Sequence, residues 1–125
     1  MRKVNRKIKK KTYSQLKHEA DRVFSIFIRN RDKRCFTCGA IQNLQAGHFV
    51  SRSWSALRYA EDNVHAQCSN CNVWRRGNYS VYALNLVKKY GQGILEDLEK
   101  RKVITQLKSK DLEKIIAKYK LTNLK

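Results

Sequence analysis

A chain of 125 residues with 28 Lys+Arg against 10 Asp+Glu carries a formal charge of +18. At that length it forms one domain, or one modest core with extensions, and no apolar run is long enough to cross a bilayer. So large a positive excess is costly in self-repulsion unless the partner is a polyanion, which puts nucleic acid first. The plainer alternative is a basic, ribosome-associated protein. No apolar segment follows the basic N-terminus, so no secretory signal is expected, and paired cysteines in a reducing cytoplasm read as metal ligands.

Residues 1–11 hold seven basic side chains and no acidic one, which fits a solvated tail and equally an arm lying along DNA. From Thr12 to Asp32, Leu16, Ala20, Val23, Phe24 and Phe27 recur at helical intervals, and Thr12 with Gln15 fits a capping box. Arg29, Arg31, Lys33 and Arg34 crowd the end of that helix, where cations suit its dipole. Cys35-Phe-Thr-Cys38-Gly39 reads as a knuckle turn in which Gly39 takes the unusual backbone angles. Leu44 to Val50 is predicted as a short strand, followed by Ser51 to Tyr59 as a turn that could hold a second strand. Helices are expected over 69–76, over 79–90 (stopped by Gly91), over 94–107 and over 111–119. The pattern divides into the arm 1–11, a main domain 12–107 and a basic C-terminal helix 108–125.

The two Cys-x2-Cys pairs, Cys35/Cys38 and Cys68/Cys71, are separated by 29 residues. That is the ligand spacing of treble-clef and ribbon zinc sites. The short, symmetrical pairs favour Zn2+ over an iron–sulfur cluster. With sulfur in every coordination position the zinc is expected to be structural, because a catalytic zinc keeps one position open.

His48 follows the first pair on a strand, and Asn72 follows the last cysteine. In a zinc-clamped ββα unit these positions face each other, an arrangement that resembles the HNH or His-Me finger nucleases. The runs Asp21-Arg-Val-Phe-Ser-Ile-Phe-Ile-Arg29, Cys35-Phe-Thr-Cys-Gly39, Leu44-Gln-Ala-Gly-His-Phe49 and Asn63-Val-His-Ala-Gln-Cys68-Ser-Asn-Cys-Asn72 resemble the phage NinG/Rap recombination endonuclease family. Leu57-Arg58 and the stretch from Gly77-Asn78 to Tyr82 match the same pattern, so the resemblance covers roughly residues 13–100.

The resemblance implies an α+β fold with a treble-clef-like ββα core flanked by N- and C-terminal helices. It implies a metal-dependent endonuclease acting on branched DNA such as Holliday junctions, in the cytoplasm of the phage-infected or prophage-carrying cell. Paired cuts in a junction imply a homodimer. By position, His48 would be the general base, Asn63 would keep it in register, and Asn72 would hold Mg2+ or Mn2+. The chain departs from the commonest HNH pattern at Gly47, where many members place a second metal ligand. Glu61 and Asp62 lie near in sequence but read as a solvated loop.

Arg52, Arg58, Arg75 and Arg76 flank the expected cleft and suit phosphate. His65 is an alternative base or, more simply, a polar strand residue; His18 reads as surface or boundary packing. Trp54 and Trp74 could stack on an unpaired base or pack on the core. The apolar residues Ile94, Leu95, Leu98, Leu112, Ile115 and Ile116 could form a dimer face or cap the core. Two other functions share these features: a non-catalytic zinc-stabilised DNA-binding module, and a sequence-specific HNH endonuclease.

Overall fold

The first helix, α1, spans Tyr13–Asp32 in a computed structural model that describes residues 10–125. All but Lys10 and Lys11 of the expected basic arm therefore lie outside the described residues. Thr12 starts α1 through the expected reciprocal cap: its hydroxyl accepts the Gln15 N–H at 3.2 Å while the Gln15 side chain accepts the Thr12 N–H at 2.9 Å. Lys33, left-handed at φ +63°, closes the helix by donating to the Arg29 carbonyl. One face of α1 is buried along Leu16, Ala20, Val23, Phe24 and Ile28.

Two strands, β1 (Leu44–His48) and β2 (Val64–Cys68), pair antiparallel with Leu44 opposite Cys68 and His48 opposite Val64. The strand expected over 44–50 thus stops at His48. Its partner is not in 51–59, which makes a loop and a short 3-10 turn at Ser55–Leu57. The reason lies at Asn63, whose side chain takes the Val50 N–H at 2.8 Å. Once that amide bonds a side chain, the backbone ladder ends.

The helix expected over 69–76 is a single π-helical turn, Asn70–Trp74. Arg75 N–H reaches back to the Asn70 carbonyl and Gly77 N–H to the Cys71 carbonyl, both at 2.8 Å, which widens the chain around Cys71. Helix α2 occupies Tyr79–Tyr90, as expected, followed by α3 (Ile94–Lys100) and α4 (Ser109–Asn123).

The helix expected to run from 94 to 107 ends at Lys100 because the chain must change cores. Leu98 belongs to one apolar cluster with Val50, Leu57, Tyr82, Leu86 and Ile94. Leu107 packs on the other, formed by the α1 face with Val64, Ala66, Leu112, Ile116 and Tyr119. Between them residues 103–105 cross as an extended strap, with the Ala56 N–H on the Val103 carbonyl at 3.2 Å and the Ser55 hydroxyl accepting the Thr105 N–H at 2.8 Å. Helix α4 is longer at both ends than the expected 111–119, and its apolar face lies on α1. The residues considered for a dimer face are thereby spent within the chain: Ile94, Leu98, Leu112 and Ile116 are buried, and Leu95 and Ile115 half-buried.

Among the described residues the architecture is mixed, four α-helices around a two-stranded sheet with a four-cysteine cluster at its end. None of these helices is long and apolar enough to cross a membrane.

Candidate functional site

The four cysteine sulfurs lie within 4.8 Å of one another. Cys38 Sγ and Cys68 Sγ are 3.6 Å apart, far beyond disulfide length and close to the ~3.8 Å edge of a tetrahedron with ~2.3 Å zinc–sulfur bonds. Backbone amides of Cys38 and Cys71 point at the sulfurs of Cys35 and Cys68, at 3.4 and 3.5 Å, and Gly39 turns the first knuckle at φ +82°. Burial opposes ionisation of Cys35, yet the Thr37 hydroxyl and nearby amides bring its thiol down to about 6. The Ala40 amide favours the Cys38 thiolate, but burial and the three neighbouring sulfurs push that thiol up to about 12. Four thiolates cannot share this space without a cation, so the donor set fits Zn2+ with no open position.

Zinc-side geometry positions a second feature. An open cleft of about 650 Å³ lies between α1, the end of β1 and the loop that follows, lined by residues that include His48, Asn72, Arg52, Arg58, Asp21 and His18. Strand alternation sends His48 and Ala46 to the α1 side. His48 Nε2 is 2.8 Å from the Arg58 carbonyl. A carbonyl only accepts, so Nε2 carries the proton and Nδ1 is left with its lone pair. Burial holds the His48 ring below the usual histidine value; the Arg58 carbonyl opposes this, and the charges of Arg58 and Arg52 add to it.

Asn63 is fully buried and bridges the exit of β1 to the loop. Its Nδ2 donates to the carbonyls of Val50 at 3.0 Å and Leu57 at 3.2 Å, while its own carbonyl accepts the Phe49 N–H at 3.0 Å. His48 is thus fixed from both the strand and the loop. Asn72 Nδ2 donates to Gln45 Oε1 at 2.8 Å. This orients the amide and leaves Oδ1 with no protein donor among the described residues.

The four arginines divide. Arg52 and Arg58 line the cleft, whereas Arg75 and Arg76 are exposed on the turn beyond it. Arg58 is buried, and its guanidinium is gripped at both ends by Asp21, with Nε to Oδ1 at 2.9 Å and Nη2 to Oδ2 at 2.5 Å. Tyr59 also donates to Asp21, at 2.7 Å. Burial disfavours the charged carboxylate, but Arg58 and Tyr59 hold Asp21 below its usual range. Asp21 was not singled out from the sequence. The available signal was an acid beside the apolar stripe of α1 in a chain so poor in acids.

Other residues lie away from the cleft. His65 faces the opposite side of the sheet, fully buried between the hydroxyls of Tyr82 (3.0 Å) and Tyr90 (2.7 Å). Asp62 is bound by Arg101 and Glu61 by Tyr119. Trp54 packs on the second core, with Lys102 over its ring at 5.1 Å, whereas Trp74 is 80% exposed. A Cβ at Gly47 would fall 2.0 Å from Gln67 Oε1, so a side chain there would require the buried Gln67 to move.

Comparison with known proteins places the chain in a family. The family model described as Bacteriophage Lambda NinG protein matches residues 1–125. The protein ninG of Escherichia phage lambda is 33% identical over 99 residues, covering 75% of this chain and 48% of that relative. The corresponding proteins of Escherichia phage 933W and Salmonella phage P22 are 33% and 32% identical, each over 75% of this chain and 49% of their own length. The chain therefore spans about half the length of the curated relatives it matches. No solved structure gives a significant match. With one family model matching residues 1–125 and three such relatives each covering 75% of it, this chain belongs to the phage lambda NinG family.

Proposed function

We propose that the chain is a metal-dependent DNA endonuclease of the His-Me finger type that hydrolyses phosphodiester bonds in branched recombination intermediates such as Holliday junctions. The observation that carries this reading is His48: proton fixed on Nε2 by the Arg58 carbonyl, Nδ1 bare, in a basic cleft shared with Asn72. β1, β2 and the π turn at Asn70–Trp74 are read as the ββα unit, with the cysteine cluster as its frame.

His48 Nδ1 takes a proton from water as the water oxygen bonds to phosphorus, and the P–O3′ bond breaks to leave a 5′ phosphate and a 3′ oxygen that takes a proton from a solvent water of the open cleft. Arg52 suits a non-bridging phosphate oxygen. Arg58 acts differently from the other arginines: held by Asp21, it presents its carbonyl to His48 rather than its guanidinium to DNA. A divalent cation, Mg2+ or Mn2+, would supply charge stabilisation at the leaving oxygen. The fit for that ion is sparse. Asn72 Oδ1 would hold it, the Asp21 carboxylate is already bonded three times, and phosphate oxygens and water would complete the shell. Binding of the ion is therefore expected to depend on DNA.

Resolution of a four-way junction by paired cuts would take two copies of the chain. The competing reading, a DNA-binding module without catalysis, draws on the same sparse cation site. A nicking assay on a synthetic four-way junction, a fork and a linear duplex, with Mg2+ or Mn2+, separates them. Cleavage of the junction by wild type but not by His48→Ala supports the nuclease. Equal cleavage by both removes His48 as the base, and tight binding without cleavage favours the module.

A further inference from the structure

Trp74 stands at the end of the π turn with 80% of its surface in solvent, next to Val73 at 56%. An indole exposed to that degree is a poor way to stabilise a small domain, and this one is not on a loose loop. Arg75 N–H bonds the Asn70 carbonyl, and Gly77 N–H bonds the carbonyl of Cys71, one of the four clustered cysteines. Arg76 and Asn78 are both held left-handed, at φ +50° and +48°, angles a non-glycine residue keeps only where its surroundings impose them. The ring is thus presented on a backbone anchored to the cysteine cluster, two positions after Asn72 of the cleft.

The charge around it selects the occupant. Between Asp62 and Glu96 the sequence has no acidic residue, and Arg75 and Arg76 directly follow the ring. A second copy of a chain carrying +18 would meet the patch with like charge, whereas nucleic acid brings phosphate to the arginines and a base face to the ring. Inserting an indole into continuous duplex requires unstacking a base step, a cost that opposes the contact. At the open centre of a branch, at a gap or at a frayed end a base face is already unstacked, so the stacking gain is not offset.

We propose that Trp74, followed by Arg75 and Arg76, is a stacking subsite for an unstacked DNA base face, through which the protein distinguishes branched from continuous duplex DNA. This deepens the nuclease reading above and rests on its DNA partner, but not on its chemistry. The test is equilibrium binding of the full chain by fluorescence anisotropy, at one fixed salt concentration and without added divalent ion. The probes are a labelled four-way junction and a linear duplex of equal length.

Trp74→Ala is expected to weaken junction binding about tenfold or more while changing duplex binding less than about twofold, with Trp74→Phe retaining most of the affinity. In a Trp54→Phe background, the remaining indole fluorescence should be quenched by the junction and hardly by the duplex. Equal losses on both DNAs, or no loss on either, overturn the proposal and leave the nuclease reading standing. Discrimination that depends on Trp74 in a protein that never cuts supports the subsite and sinks the nuclease. Failure of the wild type to bind either DNA removes both.

Discussion

The two histidines of the sheet sit one register step apart and on opposite faces, His48 across from Val64 and His65 across from Gly47. Burial lowers the proton affinity of both, bringing His65 down to about 3. Hydrogen-bond inventory tells them apart. Tyr82 gives its one proton to the Gly47 carbonyl at 2.7 Å, so His65 Nδ1 must donate to the Tyr82 oxygen and Nε2 must accept from Tyr90. Both nitrogens of His65 are therefore committed, and Phe36 covers the ring at 4.1 Å between centroids. His48 keeps one nitrogen uncommitted and faces a cleft. A perturbed histidine is a candidate base only when a lone pair is left over.

Exchanging the two losses is the sharpest way to break that contrast. His48→Ala should lower cleavage by ~10²–10⁴-fold, the usual worth of a positioned base, while leaving thermal stability and junction affinity near wild type. His65→Ala should do the reverse. It takes the acceptor from the Tyr90 hydroxyl and a donor from the Tyr82 oxygen, and it opens a cavity, a combined loss of roughly 2–4 kcal/mol, read as a fall in melting temperature. Cleavage per folded molecule should change far less than in His48→Ala. If His65→Ala stays as stable as wild type yet loses cleavage, the roles are reversed.

The contrast was only half legible in the sequence. His48 and Asn72 could be named from their places beside the cysteine pairs, Asn63 through the family resemblance, and α1 from its stripe and cap. β2 could not: in Val64-His-Ala-Gln-Cys68 polar and apolar residues alternate as on a strand with one wet face, yet all five are buried. The partners of its polar side chains arrive from afar, Tyr82 and Tyr90 for His65, and Thr37 and the Gly77 carbonyl for Gln67 Nε2, while Gln67 Oε1 is left without one among the described residues. Arg58 shows the same limit. Its residue type suggested phosphate, but a carboxylate 37 positions away, at Asp21, claims the guanidinium.

That pairing supplies the next smaller test. Asp21→Asn keeps the shape and drops the charge, leaving Arg58 unbalanced beside His48, the proposed base. The stability cost should be about 1–2 kcal/mol, modest because the carboxylate is partly solvated. The kinetic signature should be more telling: kcat reduced about tenfold with KM little changed, as expected when a base is misplaced rather than a binding contact removed. A rise in KM alone would mean that Arg58 serves the DNA directly.

The smallest expected effect is a displacement of a pH profile, and its sign follows from the same burial. The base must be unprotonated, so cleavage falls as pH drops through the His48 value. Because that value lies below 6.5 in the free protein, kcat/KM should stay flat through neutral pH and lose half its height only below pH 6.5. DNA phosphates entering the cleft favour the imidazolium, so the midpoint in kcat should lie above that in kcat/KM. His65, already down to about 3, does not titrate in this window. The remaining histidine, His18, also lines the cleft, and His18→Gln separates the two. With that substitution the acid limb should persist unchanged. If it vanishes, the proton being followed belongs to α1, and the bare nitrogen of His48 is not the base.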